Sequence, residues 1–121
     1  MPTDKAIRRQ LRELTQMAHD RELGLYLSEL ESRFRQWREG EIGPSELSDL
    51  IHEFHEDAAR AVHGTYTNLD EEQSVARAIG IGLLRQGEVP EEIRKRLSSS
   101  IDFYREHYQI DEDDPLAKLR A

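Results

Sequence analysis

The chain has 121 residues, of which 35% are charged, 36% are hydrophobic and none is cysteine. This length fits one domain, expected over residues 1–121, and the lack of cysteine excludes disulfides, thiolate chemistry and cysteine-ligated zinc. The net charge of −8 opposes binding to nucleic acid phosphates and to anionic membranes. A protein partner, and in particular a basic one, suits this charge better than nucleic acid does.

The sequence shows no targeting or membrane segment. Its first residues, Met1 to Lys5, lack the apolar core of a signal peptide. No apolar run approaches the roughly 20 residues that cross a bilayer. We therefore expect a cytoplasmic location without membrane attachment.

The first segment, about residues 4–39, has helical periodicity with two apolar stripes. The stripe of its first half comprises Ile7, Leu11, Leu14, Ala18 and Leu25. The stripe of its second half has the heptad-like spacing of four, three, four and three residues, in Leu23, Leu27, Leu30, Phe34 and Trp37. At about 100° per residue the two stripes face nearly opposite directions. Either the chain breaks near Asp20, or one long helix buries its two halves against different partners.

These two alternatives make different predictions for the N-terminal stripe. One long helix leaves the stripe exposed, and an exposed apolar stripe marks an interface. Self-association is then the simplest way to cover it, so a homodimer through the N-terminal helix is expected. A break near Asp20 instead folds the stripe into the core.

The later segments also have helical periodicity. Gly40 is predicted to end the first helix and Pro44 to begin the next, which runs to about Tyr66. A central helix over residues 71–86, apolar nearly all round, is predicted to end at Gly87. Pro90 opens a last helix with a stripe at Ile93, Leu97, Ile101, Tyr104 and Tyr108, before an acidic tail at 109–121. The sum is an all-α protein, an antiparallel bundle of four to five helices.

No catalytic set is complete in this sequence. His52 and His55 flank Glu53 and Phe54 in a pattern that resembles the zinc protease motif, but that motif needs histidines four residues apart. Glu53-x-x-Glu56 resembles the magnesium site of the all-α nucleotide pyrophosphohydrolases, yet the second acidic pair is missing from the next helix. We therefore predict no catalytic residue and no cofactor.

The residues favour a non-enzymatic protein–protein interaction module, a regulatory or accessory subunit of the antitoxin or inhibitor kind. The alternative is a metal-dependent or metal-regulated bundle that holds zinc or iron. Histidine and carboxylate four residues apart can ligate such an ion. The candidate ligands are His52, Glu56 and His63, with His55 nearby.

Overall fold

The computed structural model describes residues 4–107, and all regular structure in that range is helical. The elements are α1 (Asp4–Arg38), α2 (Pro44–Glu53), a π-helical segment (Phe54–Ala59), α3 (Arg60–Asn68), α4 (Glu71–Ile81), a 3₁₀ turn (Gln86–Glu88), α5 (Glu91–Arg96) and α6 (Ser98–His107). The predicted all-α class is confirmed, while the antiparallel order of the whole bundle stays a prediction. Tyr108 and the predicted tail at 109–121 lie outside the described residues.

Helix α1 is continuous over 35 residues, so the long-helix alternative is confirmed and the break near Asp20 does not occur. At about 1.5 Å per residue such a helix spans roughly 50 Å. Gly24 is the only weak helix former near its middle, and one glycine costs about 1 kcal/mol. Gly40 ends the helical run with a φ of 78°, the left-handed conformation predicted for it.

The chain then turns and runs back beside α1. Pro44 occupies the start of α2 as predicted. Tyr66, near the end of α3, reaches Glu22 in the middle of α1. Between α2 and α3, six residues form a π-helix, which shifts the register of the side chains relative to an unbroken α-helix.

Helix α4 is the centre of the molecule, as its all-round apolar pattern predicts. Asp70 caps it by accepting a hydrogen bond from the Gln73 backbone N–H at 2.7 Å. Gly80 lies against α6 so closely that a β-carbon there would sit 2.7 Å from the Tyr104 Cβ. The predicted end at Gly87 is wrong, because Gly82 adopts a φ of 92° and terminates the helix five residues earlier.

One hydrophobic core joins the first half of α1 to α4, α5 and α6. We call this part the head: residues 4–22 of α1, with α4, α5, α6 and the connector between α4 and α5. Its buried members are Leu11, Leu14, Ala18, Val75, Ala76, Ala78, Ile79, Ile81, Leu83, Leu84, Val89, Ile93, Leu97 and Ile101. We call residues 23–61 the arm: the second half of α1 with α2, the π-helical segment and the start of α3.

Candidate interaction surface

The structure places the predicted N-terminal stripe inside the head. Leu11 and Leu14 are 5% and 6% exposed, and Ala18 is completely buried. Ile7 and Leu25 are partly buried and pack against the same core. The prediction that a continuous α1 leaves this stripe exposed is therefore wrong. Helix α4 is apolar nearly all round, so other helices must pack against it on several sides. Helix α1 is one of these helices, and its N-terminal stripe is buried there.

The exposed stripe lies instead in the second half of α1. Leu27 is 47% exposed, Phe34 37% and Trp37 41%, and Ile51 of α2 adds a fourth large apolar side chain at 39%. We call these four residues the arm face. Within residues 23–61, only Leu47 is buried. The arm therefore has almost no core of its own.

The arm face is exposed because the arm is only two helices thick. All five stripe residues of α1 fall within about 40° of one line along the helix, at about 100° per residue. The α2–α3 run packs against α1, and along this line Leu23 and Leu30 are half-buried while the other three residues remain exposed. A two-helix layer cannot surround a heptad stripe in the way that a bundle does.

The charges of the arm are unevenly divided between its helices. The end of α1 carries Arg33, Arg35 and Arg38 over residues 32–38, with no acidic residue among them. Residues 39–59 contain seven aspartates and glutamates and no lysine or arginine. Arg35 pairs with Glu31 of its own helix at 3.6 Å, and Arg33 donates to Gln36 at 3.2 Å.

A buried polar cluster stands where the arm meets the head. Glu22 is 3% exposed, and its carboxylate accepts two hydrogen bonds from the Arg77 guanidinium, at 2.8 and 3.0 Å. Tyr66 donates to the same carboxylate at 2.8 Å, and the His19 ring meets the Tyr66 ring edge-on at 5.1 Å. Burial raises the pKa of Tyr66, and the negative charge of Glu22 raises it further. The phenol therefore stays protonated and keeps donating.

This cluster ties α1, α3 and α4 together at one point. A bidentate arginine–carboxylate pair fixes the orientation of both partners, which a nonpolar contact does not. Sequence reasoning did not find the pair, because its members are 55 residues apart along the chain. The available signal was Arg77 itself, the only charged residue between Ser74 and Leu84, since a charge in a buried helix needs a partner.

A second polar link joins α1 to the connector after α4. Arg21 donates to the Leu83 carbonyl at 2.9 Å and to Glu88 at 3.0 Å. The hydrogen bond from Arg21 lowers the pKa of the Glu88 carboxyl and raises the pKa of Arg21. Both side chains are partly exposed, so the pair orients the connector more than it stabilises the fold.

The predicted metal ligands remain separate side chains on an exposed surface. His52, His55 and His63 are all exposed. Glu56 pairs with Arg60 at 3.0 Å, and the His63 Nε2 lies 3.4 Å from the Thr67 hydroxyl. Across residues 4–107, no three histidines, aspartates or glutamates are grouped as a metal ion requires. The π-helical segment begins between His52 and Glu56, so their four-residue spacing does not stack the two side chains as it would in an α-helix.

In the part of the chain that the structure describes, no helix has the length and apolar character needed to span a bilayer. Comparison of the chain with protein families, curated proteins and solved structures finds no match.

Proposed function

We propose that this chain is a non-enzymatic helical interaction module, a regulatory or accessory subunit of the cytoplasm that docks on protein through its arm. The observation that carries the proposal is the arm face. Four large apolar side chains, between 37% and 47% exposed, lie on the arm, and within residues 23–61 only Leu47 is buried. A group of exposed large apolar side chains in one part of a fold is typical of an interaction site.

The contrast with the head supports this proposal. The head buries fourteen residues in one cluster and joins α1 to α4 through the Glu22–Arg77 pair. Its exposed large apolar side chains, Met17 at 38% and Phe103 at 55%, lie outside that cluster. Within residues 4–107 the arm has the same kind of heptad-like pattern without the cover, and we assign that cover to another polypeptide.

The buried charges support a non-enzymatic role. Glu22 is the only buried acidic residue within residues 4–107, and both its oxygens are engaged by Arg77. A carboxylate with both oxygens engaged and almost no exposed surface is shielded from any ligand. In this proposal the cluster of Glu22, Arg77 and Tyr66 holds α1, α3 and α4 together and does not serve as an acid or base.

The proposal is tested by photo-crosslinking in living cells. A benzoylphenylalanine replaces Phe34 on the arm face, and in a matched variant it replaces Ser32. Ser32 is exposed on the same helix but points to the opposite side, about 160° away around the helix axis. We expect an adduct of higher mass, containing protein, from position 34 and not from position 32.

Two results would contradict the proposal. One is the absence of an adduct at position 34, and the other is an equal yield at position 32. Changing His52 and Glu56 together to alanine should leave the adduct unchanged, because neither side chain belongs to the arm face. Loss of the adduct in that double variant would redirect attention to the histidine surface.

A further inference from the structure

We propose that a small pocket in the head binds the phosphoryl group of a phosphate ion or of a small phosphate monoester. The pocket lies between α4, the connector that follows α4, and the α5–α6 pair. It shares no residue with the arm face, so this proposal goes beyond the proposed function and does not depend on it. The side chain that carries the proposal is Arg94.

Arg94 has a charge that the described part of the chain does not compensate. Among the lysines and arginines of residues 4–107, only Arg77 and Arg94 are partly buried, and the others are exposed. Arg77 forms the buried pair with Glu22 at 2.8 Å. Arg94 forms no ion pair with a residue in this range, and its Nε is buried without a hydrogen-bond partner. A buried guanidinium nitrogen normally donates to an acceptor, and here a bound ligand has to supply that acceptor.

Arg94 lines a pocket of about 150 Å³, which we call the Arg94 pocket. Gln86 of the connector, together with Ser98 and Arg105 of α6, lines the same pocket with further hydrogen-bond donors. The structure gives no hydrogen bond between the side chains of Gln86 or Ser98 and another residue of 4–107. Donors from three elements therefore surround one small space without being used inside the protein.

The core of the head forms one side of the Arg94 pocket. Ile79 of α4 and Ile101 of α6 line it, and both belong to the buried cluster. Gln86, Ser98 and Arg105 are exposed, so the opposite side opens to solvent. A ligand can therefore place one group against the core while the rest of it remains outside the pocket.

The size and the donors of the pocket select a small oxyanion. A cavity of about 150 Å³ holds a guest the size of benzene, whereas pockets for cofactors and drug-sized ligands have roughly 300 Å³ or more. Guanidinium groups present their N–H donors in a planar fork that matches the oxygens of phosphate and of carboxylate. Because the donors come from three separate elements, they match the tetrahedral oxygens of phosphate better than the planar pair of a carboxylate.

Asp102 also lines the pocket, and its carboxylate opposes an anion. Arg105 lies 3.7 Å from this carboxylate, and the two side chains are 46% and 66% exposed, so the pair is weak. Two arginines against one aspartate leave the lining with one net positive charge. The pocket therefore attracts an anion although the whole chain has a net charge of −8.

A phosphate bound in the Arg94 pocket contacts α5, α6 and the connector at once. It holds these three elements together, so the head becomes more stable as the phosphate concentration rises. Phosphate also stabilises proteins in general, because it is excluded from their surface. A rise in stability is therefore not sufficient evidence, and the test has to detect the ion at Arg94 itself.

The test is a titration of the isotope-labelled full chain with inorganic phosphate at constant ionic strength, followed by NMR of the arginine Nε–H groups. The Arg94 resonance is identified by its absence from the Arg94→Lys variant. We expect it to shift and to saturate with a dissociation constant of about 1 mM or below, as suits an ion of five non-hydrogen atoms. An Arg94 resonance that does not move up to about 10 mM phosphate overturns the proposal.

Matched variants separate the pocket from the general charge of α5, with binding measured by calorimetry. Arg94→Gln should weaken phosphate binding at least about 10-fold, and so should Arg94→Lys, which keeps the charge but removes the planar fork. Lys95→Gln removes the same charge from a side chain that is 74% exposed and lies outside the pocket. It should change binding by less than about 2-fold, because an exposed charge is screened by salt. A loss in Lys95→Gln as large as in Arg94→Gln overturns the proposal.

A variant on the second helix keeps the test independent of the folding of α5. Arg105 is exposed, so Arg105→Gln should retain the helical circular dichroism of the native chain. It should also weaken phosphate binding, since it removes the second guanidinium of the pocket. Unchanged binding in a folded Arg105→Gln chain contradicts the assigned pocket, whatever the state of the Arg94 variants.

Two further ligands test the chemical class and its source. Acetate offers only a planar pair of oxygens and should bind at least about 10-fold more weakly than phosphate, so equal binding overturns the assignment to a phosphoryl group. Glycerol phosphate carries the phosphoryl group on a small alcohol and should shift the same Arg94 resonance. Tighter binding than that of inorganic phosphate identifies a monoester as the source, and weaker binding identifies the free ion.

Discussion

Gly80 and Gly24 provide the sharpest test of how the head is packed, because the same substitution should have opposite effects at the two positions. A β-carbon at Gly80 would lie 2.7 Å from the Tyr104 Cβ, 3.0 Å from the Ile101 carbonyl oxygen and 3.1 Å from the Arg105 nitrogen. Two of these three atoms are backbone atoms of α6, which cannot rotate away. At Gly24 nothing lies within 4 Å of the added carbon.

The magnitudes follow from two opposing effects. Alanine favours a helix interior over glycine by about 1 kcal/mol, while forcing extra volume into a packed contact costs typically about 1–3 kcal/mol. For Gly80→Ala the clash with backbone places the cost at the upper end, so we expect a net loss of about 1–2 kcal/mol. For Gly24→Ala only the gain remains, about 0.5–1 kcal/mol of added stability.

The free energy of unfolding is measured in urea by far-UV circular dichroism, with all variants at the same protein concentration. The two variants should differ by about 1.5–3 kcal/mol. A Gly80→Ala chain as stable as the native one would show that α4 and α6 leave room for a β-carbon at position 80. A destabilised Gly24→Ala chain would show that the open space beside α1 is occupied.

Two further predictions concern the polar links of α1. Glu22→Gln removes the negative charge that faces Arg77. Because breaking a buried ion pair leaves the remaining charge poorly compensated, we expect the free energy of unfolding in urea to fall by about 3 kcal/mol. A fall of less than about 1 kcal/mol would contradict the role of this pair in holding the helices together. Glu88→Gln tests the pH dependence. Since Arg21 holds the pKa of Glu88 below its ordinary value of 4.5, its stabilisation is full above that pH and is lost as pH falls through the lower pKa of the folded state. Near neutral pH the free energy of unfolding of the native chain should exceed that of the variant by less than about 1 kcal/mol. This difference should vanish in acid. A difference that grows in acid would contradict the expected direction of the pH dependence.

The site was only partly predictable from the sequence. The heptad-like stripe from Leu23 to Trp37 was visible, and so was a second stripe facing the other way. The position of α4 decides which of the two stripes is buried. The sequence of α1 does not specify that position. The metal hypothesis relied on an α-helical period through residues 52–63, which the π-helical segment interrupts.

What the sequence by itself determined are the local features. Pro44, Asp70 and Gly40 act at the helix ends where their backbone preferences and hydrogen bonds place them, since caps depend on a few neighbouring residues. What only the tertiary structure decided are the contacts between distant segments. The Glu22–Arg77 pair, the approach of α6 to Gly80 and the exposure of the arm face all depend on which surfaces meet, and a helical stripe specifies that it needs a partner without specifying which one.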